Sequence, residues 1–252
     1  MIKEQRLKKI EEYVSERESA SLEELAEKFK VSVNTIRRDI QELIERGNFK
    51  KVYGGIAVRN EQLKTFEDRP VRHKQEKIAI AKLAAEFVEE NDIIFIDSGT
   101  TTMEMFEFLK EKKLTIVTNN IEFIVRALPY PNLTIISIGG MLIRETNSFG
   151  NYYNSEYANP FNINKAFMTS TGISITNGVT NASPLESRLK HAMVNKSQEV
   201  FLLIDHSKFH RHGLITYCRL EEIDCLITDK RPPEEYEAFF AEHHIKVCTP
   251  GI

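Results

Sequence analysis

The chain has 252 residues, 41% hydrophobic and 28% charged, with 11 Gly and 8 Pro, which excludes disordered, collagen-like and disulfide-scaffold classes and suits a small domain joined to a medium one. No apolar run approaches the roughly 20 residues that cross a bilayer, the start MIKEQRLKK is charged, and Cys218, Cys225 and Cys248 have neither paired nor metal-ligand spacing, so a cytosolic protein with no metal and no cofactor is expected. The net charge of −3 is uneven: residues 1–59 hold 13 Lys and Arg against 11 Asp and Glu, and the rest hold 21 against 26.

From Lys3 to about Arg17, Leu7, Ile10 and Val14 fall on one stripe of an amphipathic helix. Ser21 and Glu24 form a capping box that starts a second helix, whose apolar face is Leu22, Leu25, Ala26 and Phe29. The pattern breaks at Lys30-Val31, and Ser32 caps a third helix marked by Val33, Ile36, Ile40, Leu43 and Ile44 and closed at Gly47. Three short helices with such a tight break predict a helix-turn-helix.

Opposite the apolar stripe of the third helix lie Asn34, Thr35, Arg37, Arg38 and Gln41, which with Ser32 can donate to phosphate or read base edges in a major groove. Asp39 among them is expected to orient its basic neighbours. The run Asn48 to Val58 reads as two strands around Gly54-Gly55, a wing that turns Lys50 and Lys51 toward the DNA backbone. A charged helix face is usually only solvated. Here the wording of Ser21 to Ile56, SLEELAEKFKVSVNTIRRDIQELIERGNFKKVYGGI, is more specific: it resembles the DNA-binding domain of the DeoR family of bacterial sugar-responsive transcription regulators. The resemblance implies binding to double-stranded operator DNA.

Residues 60–77 are polar, contain Pro70, and read as a linker between a DNA-binding domain at 1–59 and a second domain at 78–252. That domain opens on a helical stripe of Ile78, Ala81, Ala84, Ala85 and Val88. Apolar runs without alternation follow at Ile93–Ile96, Leu114–Thr118, Leu133–Ile138, Lys165–Met168, Val200–Ile204 and Cys225–Thr228, with a last strand at Ile245–Val247. Helices fall between them, the later ones from about Pro184 to Val194 and around Glu234 to Ala241. Strands buried on both faces and alternating with helices predict a C-terminal α/β domain with a mainly parallel sheet.

Ligands of such sheets bind beyond the carboxyl ends of the strands. Those ends are small and polar: Asp97-Ser98-Gly99-Thr100-Thr101-Thr102, Thr118-Asn119-Asn120, Gly139-Gly140, Ser170-Thr171-Gly172 and Asp205-His206-Ser207-Lys208. The first opens a helix, so free N–H groups, hydroxyls and the positive helix end converge there on an anion site. It has neither P-loop nor dinucleotide glycine spacing. Lys208 supplies positive charge, and Asn119 and Glu186 can pair with hydroxyls.

The segments IDSGTTT (96–102), VTNN (117–120), IGG (138–140), AFMTSTGI (166–173), the Gly178–Thr180 turn and DHSKF (205–209) are similar to the effector domain of DeoR regulators. That likeness implies a fold related to ribose-5-phosphate isomerase and a phosphorylated sugar or polyol-derived effector. The phosphate would sit on Ser98 to Thr102 and the hydroxylated chain on Asn119, Glu186 and Lys208. The stretch 162–181 resembles the inositol-catabolism repressors of the family, which implies a phosphorylated keto acid. Departures from the family pattern fall at Ser170, Thr171 and His210. An isomerase using Glu186, Asp205 and Lys208 is the alternative reading, against which stands the attached DNA-binding domain. His206, His210 and His212 read as solvated, and Met103, Met105, Phe106 and Phe108 as helix packing. Since one helix-turn-helix covers little DNA, a homo-oligomer, dimer or tetramer, is expected.

Overall fold

A computed structural model of the chain describes residues 3–17, 19–45, 49–52, 55–58, 73–150 and 161–251. The expected helix end at Gly47, the turn at Gly54, the side chain of Lys50 and residues 60–72 of the expected linker lie outside the described residues. The chain divides into two compact units, residues 1–62 and 63–252.

In the first unit α1 (Lys3–Arg17), α2 (Leu22–Phe29) and α3 (Val33–Glu45) pack against an antiparallel sheet of order β1-β3-β2, built from β1 (Ser19–Ser21), β2 (Phe49–Val52) and β3 (Gly55–Val58). Leu7, Ile10, Leu25, Ile36, Leu43 and Ile56 form its core, each no more than 1% exposed. The capping box forms as expected, with Glu24 N–H donating to Ser21 Oγ at 3.1 Å and Ser21 N–H to Glu24 Oε2 at 3.3 Å. Lys30 takes a left-handed backbone (φ 53°) to end α2, and Ser32 Oγ accepts from Thr35 N–H at 3.2 Å to start α3. Strand β1 was not expected: three residues are too few to show a period of two.

Asp39 does not orient Arg37 or Arg38. Its carboxylate, 2% exposed, takes Arg6 of α1 in a two-bond pair at 2.5 and 3.2 Å. A buried carboxylate requires a partner in the interior, and at this position of α3 that partner comes from α1.

The second unit is built on a seven-stranded, wholly parallel sheet of order β15-β14-β12-β9-β4-β5-β6. Its strands are β4 (Ile93–Ile96), β5 (Leu114–Thr118), β6 (Leu133–Ser137), β9 (Ile163–Met168), β12 (Ser197–Ile204), β14 (Cys225–Thr228) and β15 (Lys246–Cys248). Successive side chains of each strand enter different cores. Ile94, Ile96, Phe167, Phe201 and Leu203 pack with α4 (Lys74–Ala85), α5 (Thr100–Met103), α6 (Phe106–Leu109) and α7 (Ile121–Ala127). Phe95, Ala166, Met168 and Leu202 pack with α8 (Pro184–Lys196) and α9 (Glu234–Glu242). This double burial is why the strands read as unbroken apolar runs. Met103, Met105 and Phe106 are buried in the first of these cores, with Phe108 against it, as helix packing.

Two details differ from expectation. Helix α4 begins at Lys74, inside the stretch read as linker, and it buries Lys77 and Ile80 where Ile78 was expected. Short antiparallel pieces also interrupt the strand–helix alternation: the hairpin of β7 (Met141–Ile143) and β8 (Ser148–Gly150), and a sheet of β10 (Gly172–Ser174), β11 (Gly178–Asn181) and β13 (Ile215–Cys218). The segment expected as a turn at Gly178–Thr180 is therefore strand β11.

The chain leaves β4 toward β5 and β6 on one side and returns to place β9, β12, β14 and β15 on the other. The sheet thus has its topological switch point between β4 and β9, where strand ends diverge and leave a crevice.

Candidate functional site

On the first unit, Ser32, Asn34, Arg37, Arg38 and Gln41 are exposed and Thr35 is half-buried. Arg37, Arg38 and Gln41 border a groove of about 410 Å³ together with Lys51 of β2 and the apolar Leu22, Ile40 and Ile44. Cations of α3 and a lysine of β2 therefore share one surface. Ser32 and Thr35 spend hydroxyl contacts on each other (2.9 Å) at the start of α3, and Gln41 donates to Glu45 at 3.1 Å. Arg37 and Arg38 are exposed fork-shaped donors on this face, the geometry suited to guanine or phosphate.

On the second unit the switch point is filled by charge. Asp97, at the end of β4, accepts from Thr169 N–H at 2.9 Å, from the Thr169 hydroxyl at 2.5 Å, and from the ammonium of Lys190. Lys190 also donates to Thr169 O at 3.2 Å, and Tyr217 Oη donates to the same carbonyl at 2.8 Å. Burial, with Cys218 and the Asp97 charge adding to it, pushes the Tyr217 phenol well up, so it stays a donor.

Beside this pair lies Glu186, only 5% exposed, in the first turn of α8. Its Oε1 accepts from Ser98 Oγ at 3.2 Å and Ser148 Oγ at 3.1 Å, and its Oε2 from Asn181 Nδ2 at 3.1 Å. Thr171 Oγ1 donates to Asn181 Oδ1 at 3.2 Å, which turns the Asn181 amide nitrogen toward Glu186. Asn119 Nδ2 donates to Phe149 O at 2.9 Å, while Asn119 Oδ1 is buried without a partner among the described residues, as is Ser170 Oγ. A buried acceptor left open in this way is the position a ligand donor would complete.

Helices α7 and α8 are capped by the side chains of Asn120 and Ser183. At α5, as at α4, α6 and α9, no side chain caps the N-terminus, and the N-cap Gly99 leaves room at the positive helix end for an anion. Gly99 cannot carry a side chain, because a Cβ there would lie 2.3 Å from Thr169 Oγ1. Thr102 turns inward and bonds Asp97 O at 2.7 Å, holding the turn; Thr101 is buried and Thr100 is half-buried.

Among the sequence-predicted residues, Asp97, Ser98, Glu186 and, through Asn181, Thr171 are brought together, and Asn119 joins Glu186 by way of β8. Gly139 and Gly140 are exposed beyond the edge strand β6. Gly172 is a packing position, since a Cβ would meet the Arg211 backbone at 2.6 Å. Lys208 lies in a 3-10 turn, His206–Lys208, beyond β12. Burial alone would raise the Asp205 carboxyl there, but hydrogen bonds from Ser207 and the Lys208 charge outweigh it and hold the group below its usual range. His206 bonds Asp229 at 2.6 Å, and His210 stands 3.5 Å from Glu235.

The residues missed were Ser148, Thr169, Asn181, Lys190 and Tyr217. Lys190 had a legible signal: it stands four residues after Glu186 and so on the same helix face. Ser148 had none, being on a strand of three residues whose partner is equally short.

The DeoR-like helix-turn-helix domain matches residues 6–62, and the DeoR C-terminal sensor domain matches residues 72–230. The chain is 40% identical over 244 residues to the HTH-type transcriptional regulator IolR of Bacillus subtilis, covering 96% of this chain and 97% of that protein. It is 31% identical over 245 residues to the glycerol-3-phosphate regulon repressor of Escherichia coli, with the same coverage of 96% and 97%. Among solved structures, ribose 5-phosphate isomerase A of Methanocaldococcus jannaschii aligns at a TM-score of 0.40 and 15% identity, over 54% of this chain and 55% of that one.

Proposed function

The chain belongs to the DeoR family of transcriptional regulators, and from that membership we propose that it represses a carbohydrate or polyol catabolic operon and leaves its operator when a phosphorylated sugar or polyol derivative binds. The observation that carries the effector half is the start of α5, without a side-chain cap, beside a buried carboxylate whose donors among the described residues are neutral. An anion is favoured at the former and repelled by the latter, so a ligand with a phosphate at one end and hydroxyls at the other is oriented by the site itself. In this reading Ser98 to Thr102 hold the phosphate, Asn119 and Glu186 face the hydroxyls, and Lys208 adds long-range positive potential.

Arg37, Arg38 and Lys51 serve operator binding, with Ser32, Asn34, Thr35 and Gln41 on the same face and Lys50 assigned to the wing from sequence. The resemblance of residues 162–181 to inositol-catabolism repressors makes a phosphorylated keto acid the first effector to try. The chain is a regulator and not an isomerase. Described residues include no helix long and apolar enough to cross a membrane.

The test compares operator affinity with and without a saturating sugar phosphate, at one fixed salt concentration, in the wild type and in Thr100→Glu. The added carboxylate repels a phosphate at α5, so the variant binds DNA normally and ignores the effector. A variant that responds as fully as the wild type puts the phosphate elsewhere.

A further inference from the structure

The β7–β8 hairpin is tied to the proposed effector site at two side chains, and to the start of α7 by Ile121 N–H donating to Asn147 O at 3.0 Å. Ser148, 0% exposed, gives its hydroxyl proton to Glu186 Oε1 at 3.1 Å. Asn119 donates to Phe149 O at 2.9 Å, and Phe149 N–H returns to Asn119 O at 3.0 Å. Because the Ser148 proton is used on Glu186, the 2.8 Å contact between Thr146 Oγ1 and Ser148 Oγ has Thr146 as donor. A line of hydroxyls thus runs from the hairpin into the carboxylate.

Glu186 Oε1 already accepts two hydroxyls, from Ser98 and Ser148, which fills its lone pairs. A ligand hydroxyl that reaches this oxygen must replace one of them. Ser98 follows β4 at the centre of the sheet, whereas Ser148 belongs to a two-stranded hairpin whose other strand leaves Met141 and Leu142 51% and 41% exposed, and whose own backbone is held by Ile121 N–H to Asn147 O and Phe149 N–H to Asn119 O, each at 3.0 Å. An element with so little buried apolar surface is the one that opens first. Thr146 and Glu186, the two ends of the relay through Ser148, both line a cavity of about 300 Å³ between the hairpin and the start of α8.

Resting on the effector site proposed above, we propose that Ser148 is a ligand-sensing residue: a polyol hydroxyl displaces it from Glu186, a neighbouring hydroxyl donates to the open Asn119 Oδ1, and the hairpin is released. The ligand class is an anion bearing at least two hydroxyls. Inorganic phosphate, which is no polyol, binds without releasing the hairpin.

The experiment uses the full chain, calorimetric titration and amide hydrogen exchange, with a panel of hexose, hexitol, cyclitol and keto-sugar-acid phosphates and inorganic phosphate alone. Expected are faster exchange at residues 148–150 with at least one polyol phosphate and none with inorganic phosphate. Ser148→Ala binds that polyol phosphate roughly three- to tenfold tighter, since no native hydrogen bond must first be broken, and binds inorganic phosphate as the wild type does. Thr146→Val, which keeps the volume and removes the donor to Ser148, shifts affinity in the same direction. A polyol phosphate that binds but leaves 148–150 protected, or binds Ser148→Ala equally or more weakly, overturns this inference and leaves the site standing. Absence of binding by every compound overturns both.

Discussion

The ammonium of Lys190 on α8 closes on the carboxylate of Asp97 at the end of β4, across 93 residues of sequence, with side-chain exposures of only 5% and 2%. The pair sits where β4 and β9 part, and Thr169 completes it from the β9 side with its N–H, its hydroxyl and its carbonyl. Asp97 is therefore a tie that holds α8 onto the crevice beside the packing of Met193 and Val194, and α8 carries Glu186 one turn earlier. The placement of the hydroxyl-facing carboxylate depends on an ion pair that need not touch the ligand.

Removing one partner of a buried pair leaves the other charge uncompensated. Lys190→Met and Asp97→Asn should each destabilise the sensor unit by about 3–5 kcal/mol, and the double variant by clearly less than their sum. Urea unfolding followed in that unit measures this; additive losses would show that the two groups do not act as a pair.

Arg37→Ala and Arg38→Ala should each weaken binding to an operator selected from random duplexes by about 1–3 kcal/mol, with stability changed by no more than about 0.5 kcal/mol. Fluorescence anisotropy at fixed salt, paired with thermal unfolding, separates the two effects. Unchanged affinity in both variants refutes the groove assignment.

Asp39→Ala behaves oppositely, because Asp39 faces Arg6 inside the unit and not the DNA. The first unit should lose about 3 kcal/mol of stability as Arg6 is left without its partner. Operator affinity measured where the variant is still folded should stay near wild type, and a large loss there would place Asp39 at the DNA.

Asp205 has its carboxyl held below the usual 3.8 despite burial, through Ser207 and Lys208. A depressed folded value contributes stability that is complete above the unfolded pKa and is lost as pH falls through the folded one. Acid unfolding of the wild type should therefore steepen below about pH 4, and Asp205→Asn should be less stable at neutral pH with a flatter acid limb. Parallel acid limbs in the two proteins would exclude this group as a contributor.

A single winged helix-turn-helix buries about 600–1,000 Å² on DNA, too little for a specific operator, so the protein should be a dimer or tetramer on repeated half-sites. Light scattering of the free protein and the stoichiometry of its operator complex decide this; one monomer per operator would rule it out.

Short-range patterns were legible in the sequence alone. The capping box of Ser21 and Glu24 and the stripe of Leu7, Ile10 and Val14 are statements about neighbours three or four residues apart, and the unbroken runs at 93–96 and 200–204 report burial on two faces. Small polar residues at the ends of those runs mark the carboxyl ends of the strands. Tertiary structure alone decided which ends meet. Strand order puts β9 beside β4 and leaves Gly139 and Gly140 on the rim, and no local period encodes that order. It also decided that Asp39 answers Arg6, that Lys190 neutralises Asp97, and that Ser148 and Asn181 hold Glu186. Each such partner is chosen by the cost of leaving a buried charge or carbonyl unpaired, and that cost is set by the surroundings the fold creates and not by residues nearby in the chain.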